Sequence, residues 1–312
     1  MRDLMIGTRG SALAMAQAKE VKRQLEKRNP QARFRLVKIK TFGDEFQSVE
    51  IFKKNGVGVF TKAIERKLLS GEIDMAVHSL KDLPTDLPRS LVLAAIPRRF
   101  PTEDVLISRH ACSLKELPFG AVVGTGSPRR KRQLLLCRPD LRIIDIRGNL
   151  DTRVSKVIKE KKLDAVVVAK TGLLRLKKFL KYAKPLSLTE MLPAVGQGAL
   201  GIEARRSDKR TLKIAGSIHD IKTEKEVMAE RLFLKALRGG CRVPVGVHAR
   251  VEGGNFILKG AVFSVRGSDV LRDEVRVPMA QFRLAGKRLA AKLLKKGAGR
   301  FLLEARSGRS GS

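Results

Sequence analysis

Basic and hydroxyl-bearing side chains recur in four short segments, each of which follows an apolar run. In chain order the segments hold Arg9 and Ser11; Lys81 and Asp82; Thr125, Ser127, Arg129 and Arg130; and Arg147, Asn149 and Arg153. An arginine guanidinium binds carboxylates and phosphates through paired hydrogen bonds, and free N–H groups at a helix start also favour anions. Taken singly, each cation is more typical of a solvated surface. Their recurrence predicts a cleft for a ligand with several negative groups.

Asp82 brings the opposite charge into this set. Nearby cations keep a carboxylate ionised, and an ionised carboxylate can stabilise a positive intermediate or move a proton. Within its own segment Asp82 is also well explained as an ion-pair partner of Lys81 or as a turn residue. His78, four residues earlier, is explained as a packed residue at a strand end, and we assign it no catalytic role.

The chain has three cysteines, Cys112, Cys137 and Cys241, whose uneven spacing matches neither a disulfide framework nor a zinc site. Cys241 follows two glycines, with Arg238 and Arg242 on either side. By itself, such a cysteine is most simply a small residue at the end of a helix. The alternative is a reactive thiol, because neighbouring arginines favour the nucleophilic thiolate. The cysteine usage predicts a reducing cytoplasm.

The elements that position these segments repeat one pattern of apolar strand, loop with glycine and serine, and amphipathic helix. A helix over 12–27 is predicted from the spacing of Ala14, Ala18, Val21 and Leu25. Ser127 is expected to cap a second helix that has Pro128 in its first position. Alternating units of this kind predict α/β domains whose ligand sites lie at the strand ends.

The pattern changes after about Ser217. A helix is expected over 224–237, followed by two alternating strands that meet at a Gly-Gly-Asn turn over 253–255. A third strand in VLRDEVRV and a closing helix in QFRLAGKRLAAKLLKK complete a small α+β domain that carries Cys241 near its beginning. The tail RSGRSGS, residues 306–312, is expected to be disordered.

Positive charge is in large excess, with 65 lysines and arginines against 31 aspartates and glutamates and a net charge of +34. Such an excess predicts non-specific, salt-sensitive nucleic-acid binding. The charges are spread along the chain, and one tyrosine and no tryptophan leave few rings for base stacking, so a dedicated nucleic-acid module is not expected. No apolar run approaches the ~18 residues of a membrane span, and the start MRDLMIGTRGSALA lacks the features of a secretory signal.

Six segments, in this order, resemble the porphobilinogen deaminase (hydroxymethylbilane synthase) family. They are TRGSALAMAQA, AVHSLKDLP, VGTGSPRRKRQL, RGNLDTR, LPAVGQGALGIE and GGCRVPVG, and the resemblance runs from about Ile6 to the final helix. It implies a transferase of tetrapyrrole (porphyrin, haem) biosynthesis that condenses four porphobilinogen units head to tail. Ammonia leaves at each addition, and the product is hydroxymethylbilane. A dipyrromethane cofactor joined by a thioether to Cys241 is also implied, and no metal.

The resemblance assigns roles to individual residues. Asp82 matches the catalytic carboxylate, which contacts pyrrole N–H groups and stabilises the positive species formed as ammonia leaves. The cofactor is expected to contact, besides Cys241, the residues Lys81, Asp82, Thr125, Ser127, Arg129, Arg130 and Arg153. The substrate is expected to contact Arg9, Ser11, Phe60, Arg147, Asn149, Arg175 and Gln197. The sequence departs from the family at Val57, where a lysine is common, and at Gly126, where a hydroxyl residue is common.

The implied fold class is α/β, with two doubly wound lobes like those of periplasmic binding proteins, a substrate cleft between them, and a small α+β C-terminal domain. The expected boundaries are 1–98 with 197–217 for the first lobe, 99–196 for the second, and 218–312 for the domain that carries the cofactor cysteine. A monomeric, cytoplasmic enzyme is implied. From the residues alone two other classes stay open: a two-lobed anion-binding protein, which needs no thiol, and a basic nucleic-acid-binding protein.

Overall fold

The computed structural model describes residues 2–40, 61–237, 243–265 and 267–307. Among the residues singled out above, Val57, Phe60, Arg238, Cys241 and Arg242 lie outside these ranges. The chain divides into two compact units. The first unit is Met1–Phe100 with Gly198–Glu224, and the second unit is Pro101–Gln197 with Lys225–Ser312.

The described ranges contain thirteen strands and nine α-helices. The strands are β1 (Leu4–Arg9), β2 (Phe34–Ile39), β3 (Met75–Ser79), β4 (Leu91–Ala95), β5 (Asp104–Ser108), β6 (Val122–Gly124), β7 (Arg142–Ile144), β8 (Ala165–Ala169), β9 (Ala183–Pro185), β10 (Leu200–Arg205), β11 (Val245–Glu252), β12 (Asn255–Phe263) and β13 (Val270–Pro278). The helices are α1 (Ala12–Arg28), α2 (Lys62–Leu69), α3 (Pro128–Cys137), α4 (Leu150–Ile158), α5 (Lys170–Leu176), α6 (Lys209–Gly216), α7 (Ile221–Ala236), α8 (Phe282–Lys295) and α9 (Ala298–Ser307). None of these helices combines the length and the apolar character that a membrane crossing requires.

The first unit is built on a five-stranded sheet in the order β2-β1-β3-β10-β4. Strand β1 pairs in parallel with β2 and β3, whereas β10 is antiparallel to both β3 and β4. Val21 and Leu25 of α1 pack on one face of this sheet, and Ile64 and Leu68 of α2 pack on the other. Because β10 follows the second sheet in the sequence, the chain leaves the first unit after β4 and later returns to complete its sheet.

The second unit contains a five-stranded sheet in the order β7-β6-β8-β5-β9, which repeats the same arrangement. Strand β6 is parallel to β7 and β8, and β5 is antiparallel to β8 and β9. Leu134 of α3 packs on one face, and Val154 of α4 and Leu173 of α5 pack on the other. Two mixed sheets with helices on both faces confirm the predicted doubly wound α/β class.

The rest of the second unit is a three-stranded antiparallel sheet, β11-β12-β13, with α7, α8 and α9 packed on it. Phe233 of α7, Leu289 of α8 and Phe301 of α9 are buried in the shared core. Helices α7 and α8 approach closely at Gly286, where an added Cβ would lie 2.7 Å from the backbone nitrogen of Phe233. These elements confirm the predicted small α+β C-terminal domain.

The PAVGQG motif joins this C-terminal domain to the second sheet. The Val247 amide of β11 donates to the Pro193 carbonyl at 2.9 Å, and the Gly196 amide donates to the Glu230 carboxylate of α7 at 2.8 Å. These bonds fix α7 and β11 to the motif. The same two elements flank Cys241 in the sequence.

Helix α1 starts where it was predicted and ends one residue later, at Arg28. Ala18, Val21 and Leu25 are buried as expected, but Ala14 is only half-buried. Gln17 takes a buried position instead. The reason is tertiary, because the first turns of α1 border a cavity rather than the apolar core.

The C-terminal domain differs from prediction at two places. Helix α7 begins at Ile221 rather than at 224, and α9 continues to Ser307, into the tail expected to be disordered from 306. Helix α9 is held because Ala298 and Phe301 are buried in the domain core, a contact with residues distant in sequence. The finer domain boundaries, 1–98 with 197–217, 99–196 and 218–312, remain predictions.

Candidate active site

A cavity opens in the first unit where β1 and β3 end and α1 begins. It is lined by Arg9, Ser11, Leu13, Ala14, Gln17, Thr61, Val77, His78, Ser79 and Asp82. Three predicted site residues, Arg9, Ser11 and Asp82, are therefore brought to one cavity. Arg9 is the last residue of β1, and Ser11 caps α1 by accepting a hydrogen bond from the Ala14 amide at 3.3 Å. The strand-end position expected from the sequence places both residues at this cavity.

Asp82 is held at the cavity by a 3-10 turn, Leu80–Asp82, that directly follows β3. Leu80 and Leu83 are buried on either side of it, with 1% and 4% of their surface exposed. Asp82 itself is exposed. Its carboxylate is therefore open to a ligand while the neighbouring leucines anchor the turn in the core. Lys81 is half-buried on the same turn and is not among the residues that line the cavity.

Gln17 is a cavity residue that sequence reasoning missed. Its side chain is 5% exposed, and its Nε2 donates to the Ser79 Oγ at 2.8 Å. The available signal was a glutamine one position before Ala18, on the stripe that predicts the buried face of α1. A buried amide that holds a hydroxyl group at a cavity wall fixes the position of both polar groups.

The second unit contains a buried ion cluster around Asp104, the first residue of β5. Arg129 and Arg130, at the start of α3, are 5% and 6% exposed, and Asp104 is fully buried. The Arg129 Nη2 donates to the Asp104 Oδ2 at 2.8 Å. The Arg130 Nη2 and Nε donate to the Asp104 Oδ1 at 2.7 and 3.2 Å. Asp104 thus orients both arginines that the resemblance assigns to the cofactor.

The charges in this cluster do not balance. Burial works to raise the pKa of Asp104, but the charges of Arg129 and Arg130 and their hydrogen bonds outweigh it and hold that pKa well below the usual carboxyl range. Asp104 is therefore ionised at neutral pH. Two guanidinium groups and one carboxylate leave one positive charge in a buried place, which favours a further anion.

Gln197 lies in the same cluster. Its Nε2 donates to the Asp104 Oδ1 at 3.0 Å and to the Thr102 carbonyl at 2.6 Å, and the residue is fully buried. Both partners belong to the segment by which the chain enters the second unit, and Gln197 is the last residue before the chain leaves it. The contact of Gln197 with substrate remains a prediction.

The other predicted residues of the second unit lie at one edge of its sheet. Strands β6, β7 and β8 run in parallel, so the loops that follow them leave from the same edge. The loop after β6 continues along the end of β7, because the Thr125 amide donates to the carbonyl of Ile144, the last residue of β7, at 2.9 Å. At Gly126 an added Cβ would lie 2.7 Å from the Ile146 carbonyl oxygen, which explains the glycine at this position.

The loop between β6 and α3 has the predicted cap. The Ser127 Oγ accepts from the Arg130 amide at 3.5 Å, and Pro128 occupies the first turn of α3. The Ser127 amide donates to the Oγ1 of Thr125, a residue that is 4% exposed, at 3.2 Å. The two hydroxyl residues expected at the cofactor therefore also set the direction in which Arg129 and Arg130 enter the helix.

Three basic residues that follow β7 and β8 are half-buried: Arg147 in the loop after β7, Arg153 in α4 and Arg175 in α5. The Arg153 Nε donates to the Gly148 carbonyl at 2.8 Å, and the Arg175 Nη1 donates to the Thr171 Oγ1 at 2.7 Å. Asn149 is exposed at the start of α4. This sheet edge therefore carries several cations whose directions are set by hydrogen bonds, an arrangement suited to carboxylates.

Comparison with known proteins decides the family. The family model described as "Porphobilinogen deaminase, dipyromethane cofactor binding domain" matches residues 4–213, and the model of the porphobilinogen deaminase C-terminal domain matches residues 224–295. The chain belongs to the porphobilinogen deaminase family. It is therefore a transferase of tetrapyrrole biosynthesis that uses a dipyrromethane cofactor, as the sequence predicted.

Curated relatives agree over nearly the whole chain. The porphobilinogen deaminase of Desulforudis audaxviator is 45% identical over 307 residues, which cover 98% of this chain and 99% of that protein. The porphobilinogen deaminases of Syntrophotalea carbinolica and Moorella thermoacetica are each 44% identical, and they cover 96% and 98% of this chain and 95% and 98% of their own lengths. Among solved structures, the periplasmic aliphatic sulphonate binding protein of Escherichia coli is similar with a TM-score of 0.37 and 16% identity, covering 76% of this chain and 71% of that one.

Proposed function

We propose that the chain condenses four porphobilinogen molecules head to tail onto a dipyrromethane primer attached to Cys241, releasing ammonia at each addition and then hydroxymethylbilane. The observation that carries the residue assignment is the uncompensated charge of the buried cluster. In the part of the chain that the structure describes, Arg129 and Arg130 share a single buried carboxylate, Asp104. A carboxylate of the cofactor would complete this cluster, so the residues present fit the cofactor.

The bound cofactor supplies the covalent primer on which the product chain is built. We propose that Lys81, Asp82, Thr125, Ser127, Arg129, Arg130 and Arg153 hold it, and that Arg9, Ser11, Phe60, Arg147, Asn149, Arg175 and Gln197 hold the substrate. The support is chemical: these cations and hydroxyl groups match the acetate and propionate groups of porphobilinogen. Several of them are already oriented by hydrogen bonds, which lowers the entropy lost on binding.

Mass spectrometry tests the attachment residue. The intact protein and a Cys137→Ser control should each carry an added mass equal to two linked pyrrole units, whereas Cys241→Ser should not. Cys137 is a suitable control because its thiol is free and exposed. An adduct retained in Cys241→Ser would overturn the assignment. A protein that lacks the adduct should acquire it on incubation with porphobilinogen.

Asp82 is proposed to face the positive charge that develops on the substrate as ammonia leaves, and to accept the proton that the pyrrole carbon loses once the new C–C bond has formed. Its exposed position on an anchored turn supports this role. Asp82→Asn should fold normally and lower turnover by about 10²–10⁴-fold. Asp86→Asn, four residues further along and outside the cavity lining, is the control. Turnover in Asp82→Asn near that of the control would remove Asp82 from the mechanism.

The proposal also covers the oligomeric state, the compartment, the domain boundaries and nucleic-acid binding. We propose that the enzyme works as a monomer in the cytoplasm, where a reducing environment keeps the attachment thiol free, and that its domains follow the boundaries 1–98 with 197–217, 99–196 and 218–312. The net charge of +34 supports non-specific nucleic-acid binding. That binding should weaken steeply as salt rises and show no sequence preference. Tight, sequence-dependent binding at high salt would instead indicate a second function.

A further inference from the structure

A buried histidine–glutamate pair adjoins the first-unit cavity, and its histidine, His78, is one of the lining residues. The His78 Nε2 and the Glu203 Oε2 are 3.0 Å apart, and the two residues are 7% and 0% exposed. Packing explains why a histidine at a strand end is buried. It does not explain a fully buried carboxylate beside it, because burying a charged group is costly unless the group has a task or a full set of partners.

Strand pairing brings the two residues together. His78 of β3 lies opposite Gly201 of β10, so Glu203, two residues further along β10, is a diagonal neighbour on the same face of the sheet. Helix α2 packs on that face, through Ile64 and Leu68. The pair is therefore enclosed by the sheet on one side and by α2 on the other, with the cavity at the strand end.

The pairing relates the hydrogen on the ring to the state of the carboxyl group. An ionised carboxylate only accepts hydrogen bonds, so with Glu203 ionised the Nε2 of His78 is the donor. Among the described residues this is the one hydrogen bond of the His78 ring. In the neutral ring, Nδ1 is then the unprotonated, basic nitrogen. Glu203 also stabilises a positive charge on the imidazole when Nδ1 takes up a proton.

Other charged groups lie on the elements around this pair. Glu65 of α2 interacts electrostatically with both His78 and Glu203, and Lys62 acts on Glu65. Arg9 at the end of β1 and Asp82 of the turn after β3 line the same cavity as His78. Burial raises the pKa of the Glu65 carboxyl, and the Glu203 charge raises it further. The Oε1 of Glu203 is buried without a hydrogen-bond partner in the described part of the chain. The cluster thus holds acids and a base that can share protons.

The proposed reaction needs such a group. Each condensation breaks the C–N bond of an aminomethyl group, and the electron pair leaves with ammonia. A pyrrole carbon forms the new C–C bond and loses its hydrogen as a proton, whose electron pair returns to the ring. Ammonia finally leaves as ammonium. One proton must therefore travel from carbon to nitrogen in every cycle, and Asp82 must give it up before the next cycle.

We propose that His78, held by Glu203, takes this proton from Asp82 at Nδ1 and passes it to the ammonia already released in that cycle, which becomes ammonium. The proposal rests on the proposed role of Asp82. It gives His78 a part in proton transfer, and it makes Glu203 a positioning residue that acts through His78. The fold supports it by placing His78 and Asp82 on the same cavity, four residues apart in sequence.

His78→Gln is the decisive variant, because a glutamine amide can still donate to Glu203 but cannot take up a proton. In the cofactor-loaded enzyme, kcat should fall about 10²–10⁴-fold while KM and the loaded mass stay close to those of the unaltered protein. The acid limb of the kcat–pH profile should disappear. A His78→Gln enzyme with unaltered kcat and pH profile would show that His78 only packs.

Glu203→Gln provides the second readout. A neutral amide no longer stabilises a positive charge on the imidazole, so the acid limb of the kcat–pH profile should move to lower pH. An unmoved limb in a folded, loaded Glu203→Gln enzyme would overturn the positioning role. Asp82→Asn measured in parallel separates the two levels: turnover near that of the unaltered protein in that variant would overturn the proposed role of Asp82, on which this inference rests. Loss of turnover there, with His78→Gln unaffected, would sink only this inference.

Discussion

Replacing Asp104 by asparagine tests the buried ion cluster directly. Asp104 accepts from Arg129 through Oδ2 and from Arg130 and Gln197 through Oδ1, at distances of 2.7–3.2 Å. An asparagine keeps one acceptor oxygen and turns its amide N–H groups toward an arginine donor. It also removes the negative charge that holds two buried guanidinium groups.

The expected loss of stability follows from this geometry. Breaking a buried ion pair by removing one partner costs about 3–5 kcal/mol, because the remaining charge is left without compensation. At about 2–4 °C per kcal/mol for a unit of this size, the second unit should unfold roughly 6–20 °C lower. The side chain keeps its size, so little of this change comes from a cavity.

Calorimetry at neutral pH on the protein without cofactor measures this shift. Asp269→Asn is the matched control, since Asp269 pairs with Arg300 at 3.3 Å while both side chains are more than 60% exposed. Exposed pairs contribute about 0–1 kcal/mol, so the control should hardly change the unfolding temperature. If the two variants were equally stable, Asp104 would not hold the cluster. Cofactor loading should restore more stability to Asp104→Asn if a cofactor carboxylate contacts the same arginines.

Two further predictions follow from buried contacts. The pKa of Asp104 in the folded protein is held well below the ordinary ~3.9. As pH falls below about 4, Asp104 therefore binds a proton in the unfolded chain while it stays ionised in the folded chain. The stability that the ionised Asp104 contributes is present above about pH 4 and is lost as pH falls below that value. The unfolding temperature should therefore drop less between about pH 5 and pH 3 in Asp104→Asn than in the unaltered protein. Gly286→Ala should lower the stability of the C-terminal domain by about 1–3 kcal/mol, because its Cβ would meet the backbone of α7. Gly299→Ala in α9 is the control, because no atom lies within 4 Å of an added Cβ there. This variant should be neutral or raise stability by up to about 1 kcal/mol. A loss of stability as large as that of Gly286→Ala would contradict the packing argument.

Much of the local structure could be read from neighbouring residues. The cap of α3 by Ser127 and the start of α1 after Ser11 depend on hydrogen bonds that span three residues. The turn between β11 and β12 depends on Gly253 and Gly254, which have positive φ angles of 54° and 75°. Such features are set within a few residues of chain, so a short segment contains all the atoms that decide them.

The polar partners of the site could not be read in this way. Asp104 lies 25 and 26 residues before the two arginines it orients, and Glu203 lies 125 residues after His78. Gln17 and Ser79 are 62 residues apart. In each case the sequence shows a polar residue in an apolar stretch, but only the packing of distant strands and helices supplies its partner.

The sequence by itself therefore determined the α/β class, the small C-terminal domain, the family, and the strand-end loops that carry the basic residues, because periodicity, caps and motifs are local properties. Only the tertiary structure decided that Arg129 and Arg130 share one buried carboxylate, and that His78 has a buried acid beside it. Burial and charge balance depend on every element that packs around a group. Those elements come from parts of the chain that meet only when the two sheets have formed.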